Sequence, residues 1–301
     1  MPDSASRRGG RPSSAGGCHA PGPPWPTPLQ KGLVLIAHGS ADPRAAAAIG
    51  ELMPLVARRA TERGLNVPDL RVAYLGHAAP SVPQVMRAFG PDAQVTVLPL
   101  LLTAAYHSKT DIPRLLARVS AGMQITYGEP LGPHPLLLRA LERRLPPAAF
   151  DNPAEVGVVL AAAGSSDPEA NATLARLAAQ WQARTGWYAV RPAYASPAAT
   201  GGQGSTAATG GQGSPACPDP ATVVTGLLQA GARRVVVASY LLAPGLFADR
   251  IRAASLAAGA AAASPALLPW PPAAAGAAAS EVADVVLDRY QEASARERAA
   301  A

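Results

Sequence analysis

The chain has 301 residues, of which 49% are hydrophobic and 15% charged, and its formal net charge is +6 at pH 7. This length and apolar content suit two ordinary α/β domains, and the absence of a basic run interleaved with aromatic residues argues against a nucleic-acid-binding protein. No stretch approaches 18 uninterrupted apolar residues without Gly or Pro, which argues against a membrane span. The expected location is the cytoplasm.

The first half of the chain alternates strand and helix patterns. Residues 1–30, rich in Pro, Gly and Ser, are predicted to form a disordered tail. The apolar run Leu33–Ala37 is typical of a buried parallel strand, and a helix is predicted from about Arg44 to Gly64. Further strands are predicted at 70–76, 93–103 and 124–130, and further helices at 80–90, 111–122 and 134–145. This alternation predicts the α/β class with a parallel sheet.

The second half weakly repeats the first. Residues 156–181 resemble residues 31–56, so that Ala163 aligns with His38, and a second match aligns Phe247 with His107. A duplication predicts one domain at 31–148 and another at 149–301. The Gly-rich stretch 200–214 is predicted to be a flexible insertion, and a last helix at about 280–298 is expected to close the second lobe.

The two cysteines are Cys18 and Cys217. Both fall in segments predicted to be flexible, and neither lies in a CxxC motif or near a pair of histidines. A disulfide framework and a cysteine zinc site are therefore not expected.

Histidines follow several of the predicted strands. His38 comes directly after the first strand and His107 after the third, where open α/β sheets place their ligands. Two imidazoles at one edge of a sheet would make a pair of divalent-metal ligands, although a single loop histidine is more often structural or solvated. His77 follows the second strand and is a third ligand, a proton acceptor or a spectator. His134 is expected to cap or turn the chain before a helix.

The string "HGSADP" at 38–43 also allows a hydrolase interpretation in which His38 activates Ser40. It lacks the G-x-S-x-G elbow, and a histidine two residues before a serine is poorly placed to reach its hydroxyl. Ser40 and Asp42 are instead expected to cap the following helix, whose N-terminus can accept an anionic group.

Four motifs together resemble the sirohydrochlorin cobaltochelatases and ferrochelatases, the class II chelatases of the small CbiX and SirB type. They are "LIAHGSADPRA" at 35–45, "APSVPQVM" at 79–86, "VTVLPLLLTAAYHSKTDIPRLL" at 95–116 and "PLGPHPLL" at 130–137. The resemblance covers residues 32–145 well and the second half diffusely. It implies two tandem chelatase-like, flavodoxin-like domains, each with a four-stranded parallel sheet covered by helices on both faces, which face each other across a cleft.

The resemblance also implies an activity. It is the ATP-independent insertion of Co²⁺ or Fe²⁺ into sirohydrochlorin, a lyase reaction of cobalamin or siroheme synthesis, with the metal as substrate and no nucleotide. The metal-binding positions of the family match His38 and His107. Where many members carry a glutamate in a stretch like "FLELAEPS", this chain has Gly76, followed by His77. His77 or water would then accept the proton.

Sirohydrochlorin bears many carboxylates, which the net positive charge would attract. Arg44, Lys109 and the backbone amides of Gly39 and Ser40 are candidate contacts for them. The Arg44 and Lys109 side chains could equally be solvated surface charges. The expected partner is thus an acidic tetrapyrrole bound by a monomer or homodimer, with no nucleic acid and no membrane. The main alternative is a metal or tetrapyrrole carrier that uses the same histidines without turnover.

Overall fold

The structure is a computed structural model. It describes residues 30–104, 107–120, 122–196, 217–271 and 276–300. The predicted tail, residue 30 excepted, and the predicted insertion at 200–214 lie outside these ranges.

The described residues fold into two four-stranded parallel sheets covered by helices, which confirms the predicted class. The first lobe has strands β1 (Lys31–Ala37), β2 (Asp69–Tyr74), β3 (Gln94–Pro99) and β4 (Gln124–Tyr127), in the order β2-β1-β3-β4. Its helices are α1 (Pro43–Glu62), α2 (Val82–Arg87), α3 (Ile112–Val119), α4 (Pro135–Glu142) and the short α5 (Ala148–Asp151). A π-helical turn, His107–Asp111, leads into α3.

The second lobe repeats this topology after a 3₁₀ turn at Pro153–Glu155. Its strands are β5 (Val156–Ala162), β6 (Ala189–Tyr194), β7 (Arg234–Ser239) and β8 (Ala262–Ala263), in the order β6-β5-β7-β8. Its helices are α6 (Pro168–Thr185), α7 (Pro220–Gln229) and α8 (Leu246–Ala257), and the chain continues into α9 (Gly276–Ala300). The identical strand order agrees with the internal repeat found in the sequence.

Both faces of each sheet are covered, which explains why the central strands are continuously apolar. In β1, Leu33 and Leu35 point to a core shared by the two lobes, whereas Val34 and Ile36 point to an outer core. The shared core contains buried residues of α1, α4, α6 and α9. The outer cores are closed by α2 and α3 on the first sheet and by α7 and α8 on the second.

Helix α9 corrects one prediction. It was expected to close the second lobe, but it packs against α1, α4 and strands β3 and β4 of the first lobe. Arg59 donates to both carboxylate oxygens of Asp284 on α9, at 3.0 and 2.8 Å. Arg63 donates to Asp288 at 2.7 Å. Helix α9 thus turns buried apolar residues and two aspartates towards the first lobe, and the arginines at the end of α1 pair with those aspartates.

Cys217 corrects a second prediction. The sequence placed it in a flexible segment, yet it is 7% exposed and belongs to the shared core. It lies just before α7, next to Asn171 of α6. Among the described residues, no helix is long and apolar enough to cross a membrane.

Candidate active site

A cleft of roughly 500 Å³ opens between the lobes, where strands β1 and β3 of the first sheet and β5, β6 and β7 of the second end. We call it the interlobe cleft. Its apolar walls and its polar groups come from both lobes: His38, Leu100–Thr103, Ala162–Ser166, Ala170, Asn171, Leu174, Tyr194, Ser196, Tyr240–Leu242 and Phe247. The first sheet reverses its strand order between β1 and β3, the position at which open α/β sheets bind ligands.

His38 is the first residue after β1, and it is an exposed residue that lines the interlobe cleft. Strand β1 lies beside β3, with Ile36 opposite Pro99, and the amide of Leu100 donates to the Ile36 carbonyl at 2.7 Å. The ends of these two strands therefore meet at one edge of the sheet. The sequence placed His38 at the end of a strand but did not reveal which strand would be its neighbour.

His107 begins the π-helical turn that follows β3. Its backbone is described, whereas its side chain lies outside the described part of the chain. Strand order thus brings the segments that carry the two predicted metal ligands to the same edge. Within the described ranges, no group of three or more His, Cys, Asp or Glu side chains is placed to hold a metal ion.

The turn after His38 is packed tightly against the turn after β2. Gly39 has a φ of +87°, and a Cβ built on it would lie 1.7 Å from the carbonyl oxygen of Gly76. The Gly76 amide also donates to the His38 carbonyl at 3.2 Å. Only glycine fits at position 39, because any side chain would meet backbone there.

His77 lies at the same edge, one residue beyond that contact. It is exposed and adopts a left-handed φ of 58°, which is uncommon for a residue other than glycine. It is not among the described residues that line the interlobe cleft. Gly76, beside it, brings no carboxylate to this edge.

Ser40 and Asp42 organise the start of α1. The Ser40 hydroxyl accepts from the Asp42 amide at 3.1 Å, and the Asp42 carboxylate accepts from the Arg44 amide at 2.9 Å. Asp42 is the N-cap, as expected from the sequence. The Arg44 guanidinium also donates to Asp42, and this hydrogen bond is the main cause that holds the pKa of the Asp42 carboxyl below its usual range.

Arg44 and Lys109 form ion pairs that cross from the first lobe to the second. Arg44 contacts Asp249 of α8 at 2.6 Å, and the Lys109 ammonium lies 3.2 Å from the Asp167 carboxylate at the start of α6. Hydrogen bonds from the Glu169 amide and then from Lys109 lower the pKa of Asp167. Both cations lie outside the lining of the interlobe cleft, and each has an acidic partner.

Asp167 and Asp249 were not singled out from the sequence. A signal existed, because Asp167 stands in "GSSDP", the counterpart of "GSADP" in the first half. Its partner could not be read from the sequence, since the pairing depends on how the two lobes face each other.

The second lobe supplies the opposite wall of the interlobe cleft without histidines. Ala163 follows β5 at the position that His38 occupies after β1, and it lines the cleft. Phe247 lies at the start of α8 and also lines the cleft, with 42% of its surface exposed. The wall is therefore apolar at both positions where the first lobe has a histidine.

Two tyrosines line the interlobe cleft, and both phenols donate hydrogen bonds. Tyr240 is buried and donates to the Leu102 carbonyl across the lobes at 3.1 Å, and its burial raises the pKa of its phenol. Tyr194 donates to the Asn171 carbonyl at 2.9 Å, and burial raises its pKa to about 12. Both phenols therefore stay protonated near neutral pH.

His134 lies away from the interlobe cleft. As expected from the sequence, it caps a helix, since its Nδ1 accepts from the Leu136 amide at 3.3 Å at the start of α4. Its Nε2 lies 3.6 Å from Asp288 of α9. Burial, followed by the charge of Arg289, lowers the pKa of His134.

Comparisons with known proteins show which proteins this chain resembles. The CbiX family model matches residues 32–148. A sirohydrochlorin ferrochelatase of Priestia megaterium is 30% identical over 122 residues, which cover 39% of this chain and 46% of that protein. A sirohydrochlorin cobaltochelatase of the same organism is 26% identical over 229 residues, which cover 73% of this chain and 67% of that protein.

Among solved structures, that of SirB from Bacillus subtilis with Fe³⁺ superposes with a TM-score of 0.64. The superposition covers 90% of this chain and 98% of that protein, with 22% sequence identity, and shows a shared fold. The first of the curated relatives above is matched over about half of its own length.

Proposed function

We propose that the chain belongs to the CbiX family, whose model matches residues 32–148, and that it inserts Co²⁺ or Fe²⁺ into sirohydrochlorin. One observation carries the proposal: His38 and the segment that follows β3 lie at one edge of a sheet, and His38 opens onto the interlobe cleft. The names of the relatives give the tetrapyrrole, and the cleft provides a place for it.

His38 and His107 are proposed to hold the metal ion before it is transferred. Neutral imidazoles bind both Co²⁺ and Fe²⁺, and two ligands leave coordination positions open for the pyrrole nitrogens. An ion held by few ligands can be passed on, which a closed four-ligand site would prevent. The neighbouring ends of β1 and β3 support this assignment.

Insertion also requires that two pyrrole N–H groups lose their protons as the metal–nitrogen bonds form. A histidine released from the metal, or His77 beside the His38 turn, is proposed to accept them. Gly76 supplies no carboxylate, and the bases proposed at this edge of the sheet are imidazoles and water. The metal brings two positive charges and two protons leave, which balances the reaction.

Arg44 and Lys109 are proposed to contact the carboxylates of the tetrapyrrole, together with the amides of Gly39 and Ser40. Both cations are exposed enough to exchange partners, and each is paired with an aspartate of the other lobe. A substrate carboxylate would replace Asp249 or Asp167, so capture involves an exchange of ion pairs rather than a gain of new charge contacts.

The test is an insertion assay that follows the absorbance of sirohydrochlorin with Co²⁺ and with Fe²⁺. We expect His38→Ala and His107→Ala each to lower the rate by about two orders of magnitude, as for loss of a positioned acid–base group. His134→Asn is the matched control, because it removes a histidine of the same lobe and keeps a helix-capping side chain. Full activity in either of the first two variants would refute the metal assignment.

The same assay separates an enzyme from a carrier. A carrier would yield at most one equivalent of metallated product per chain, whereas the proposed enzyme turns over repeatedly. ATP independence, a cytoplasmic location and a monomeric or homodimeric state stay predictions. Addition of ATP should leave the insertion rate unchanged.

A further inference from the structure

Phe247 is a large, exposed aromatic side chain to which the proposed function gives no role. It is 42% exposed and lines the interlobe cleft. Single exposed aromatic residues are common on proteins. Phe247 differs from them because it lines the interlobe cleft together with Leu241 and Leu242, which are partly buried.

Contacts between the lobes hold Phe247 opposite the His38 turn. Gly245, two residues earlier, lies beside Ser40: a Cβ built on Gly245 would be 3.8 Å from the Ser40 hydroxyl. Asp249, two residues later, pairs with Arg44 at 2.6 Å. Before substrate binds, these contacts place the first turn of α8 against the start of α1, and Phe247 lies between the two contacting residues in the sequence.

The internal repeat places Phe247 at the position of His107. In the first lobe the helical segment after β3 carries the proposed metal ligand, and in the second lobe the segment after β7 carries a phenyl ring. The two halves thus bring different chemistry to one cleft. The first brings imidazoles and the second brings apolar surface.

We propose that Phe247 is a positioning residue that stacks on one face of the macrocycle, and this rests on the proposed function. A tetrapyrrole has a conjugated macrocycle with apolar faces and an anionic periphery. One face would rest on Phe247 and the leucines of the cleft, the other would be open to the histidines, and the carboxylates would reach Arg44 and Lys109. Offset stacking on an aromatic ring orients a planar ligand in a way that aliphatic side chains do not.

The test measures binding of metal-free sirohydrochlorin, by absorbance titration, to the full chain and to Phe247→Ala. We expect the Kd to rise by about tenfold, and the KM of insertion with it, because a stacking partner and its buried area are lost. The affinity for Co²⁺ alone should stay unchanged. Phe247→Trp should bind as tightly as the original chain, and Phe247→Leu should not.

Leu256→Ala is the matched control, since Leu256 lies on the same helix with 40% exposure and is not part of the cleft lining. Unchanged tetrapyrrole affinity in Phe247→Ala, or full affinity in Phe247→Leu, would overturn the stacking role while leaving the proposed function intact. Failure of the original chain to bind sirohydrochlorin would overturn both.

Discussion

A chain that ends at residue 275 is expected to lose the fold of its first lobe. Helix α9 comes from the end of the chain but covers α1 and α4 of that lobe. Four of its branched side chains are fully buried: Val282, Val285, Val286 and Leu287. Each contributes about 1.5–3 kcal/mol on burial, and together they contribute about 6–12 kcal/mol. The free energy of unfolding of a whole domain is about 5–15 kcal/mol, so the first lobe would be left without a stable core.

The assay is urea unfolding followed by circular dichroism, with three shortened or substituted chains. A chain that ends at Ala295 is the control, because residues 296–299 are exposed. It should unfold at the same urea concentration as the full chain. Leu287→Ala should lower the free energy of unfolding by about 2–5 kcal/mol, and the chain ending at 275 should show no cooperative transition for the first lobe. A cooperative transition at the original urea concentration in the chain ending at 275 would refute the assignment of α9 to the first lobe.

Three further predictions concern the site and its surroundings. Gly39→Ala should reduce the insertion rate strongly and lower the melting temperature, because the added Cβ would lie 1.7 Å from the Gly76 carbonyl oxygen. Gly164→Ala is the control: Gly164 has nearly the same φ, but its added Cβ would lie 2.9 Å from the Ser196 carbonyl oxygen, so the insertion rate should change less. Lys109→Gln should raise the KM for sirohydrochlorin severalfold and make that KM less dependent on salt. Asp167→Asn keeps a side chain able to cap α6 and should lower the KM, because Lys109 is then free to bind the substrate. Equal KM values in the two variants would contradict the exchange of ion pairs. Burial lowers the pKa of His134 below its ordinary value of 6.5, so that, as the pH falls, the unfolded chain takes up a proton before the folded chain does, and the free energy of unfolding should decrease below about pH 6.5. His134→Asn should make that decrease smaller, as measured by urea titrations at pH 7.5 and 5.5. An unchanged decrease would show that another group controls it.

The third strand shows where a local pattern misleads. The apolar run at 93–103 predicted one long strand, but β3 ends at Pro99. Leu100–Leu102 line the interlobe cleft and pack against the two cores of the first lobe, and they do not continue the sheet. Hydrophobic periodicity reports that a side chain is away from water, and it does not report whether a strand, a helix or a ligand covers it.

Cys217 shows the same limit from the opposite side. Its neighbours in the sequence, rich in Gly and Ser, predicted a flexible segment, yet its side chain is buried against α6. The local composition carries no record of a helix 46 positions away that covers the thiol. Asp42 was predicted correctly as a helix cap because a cap is made by residues two positions apart, whereas the Ser40 hydroxyl accepts from the Asp42 amide and not from an amide of the helix.

The amino-acid sequence alone determined the alternation of strands and helices, the internal repeat, and the position of His38 directly after a strand, because each follows from residues close together in the chain. Only the tertiary structure decided that β1 lies beside β3, that α9 packs on the first lobe, and that Arg44 meets Asp249. Arg44 and Asp249 are 205 positions apart. Such contacts depend on how two finished lobes fit together, and no local pattern of residues encodes that fit.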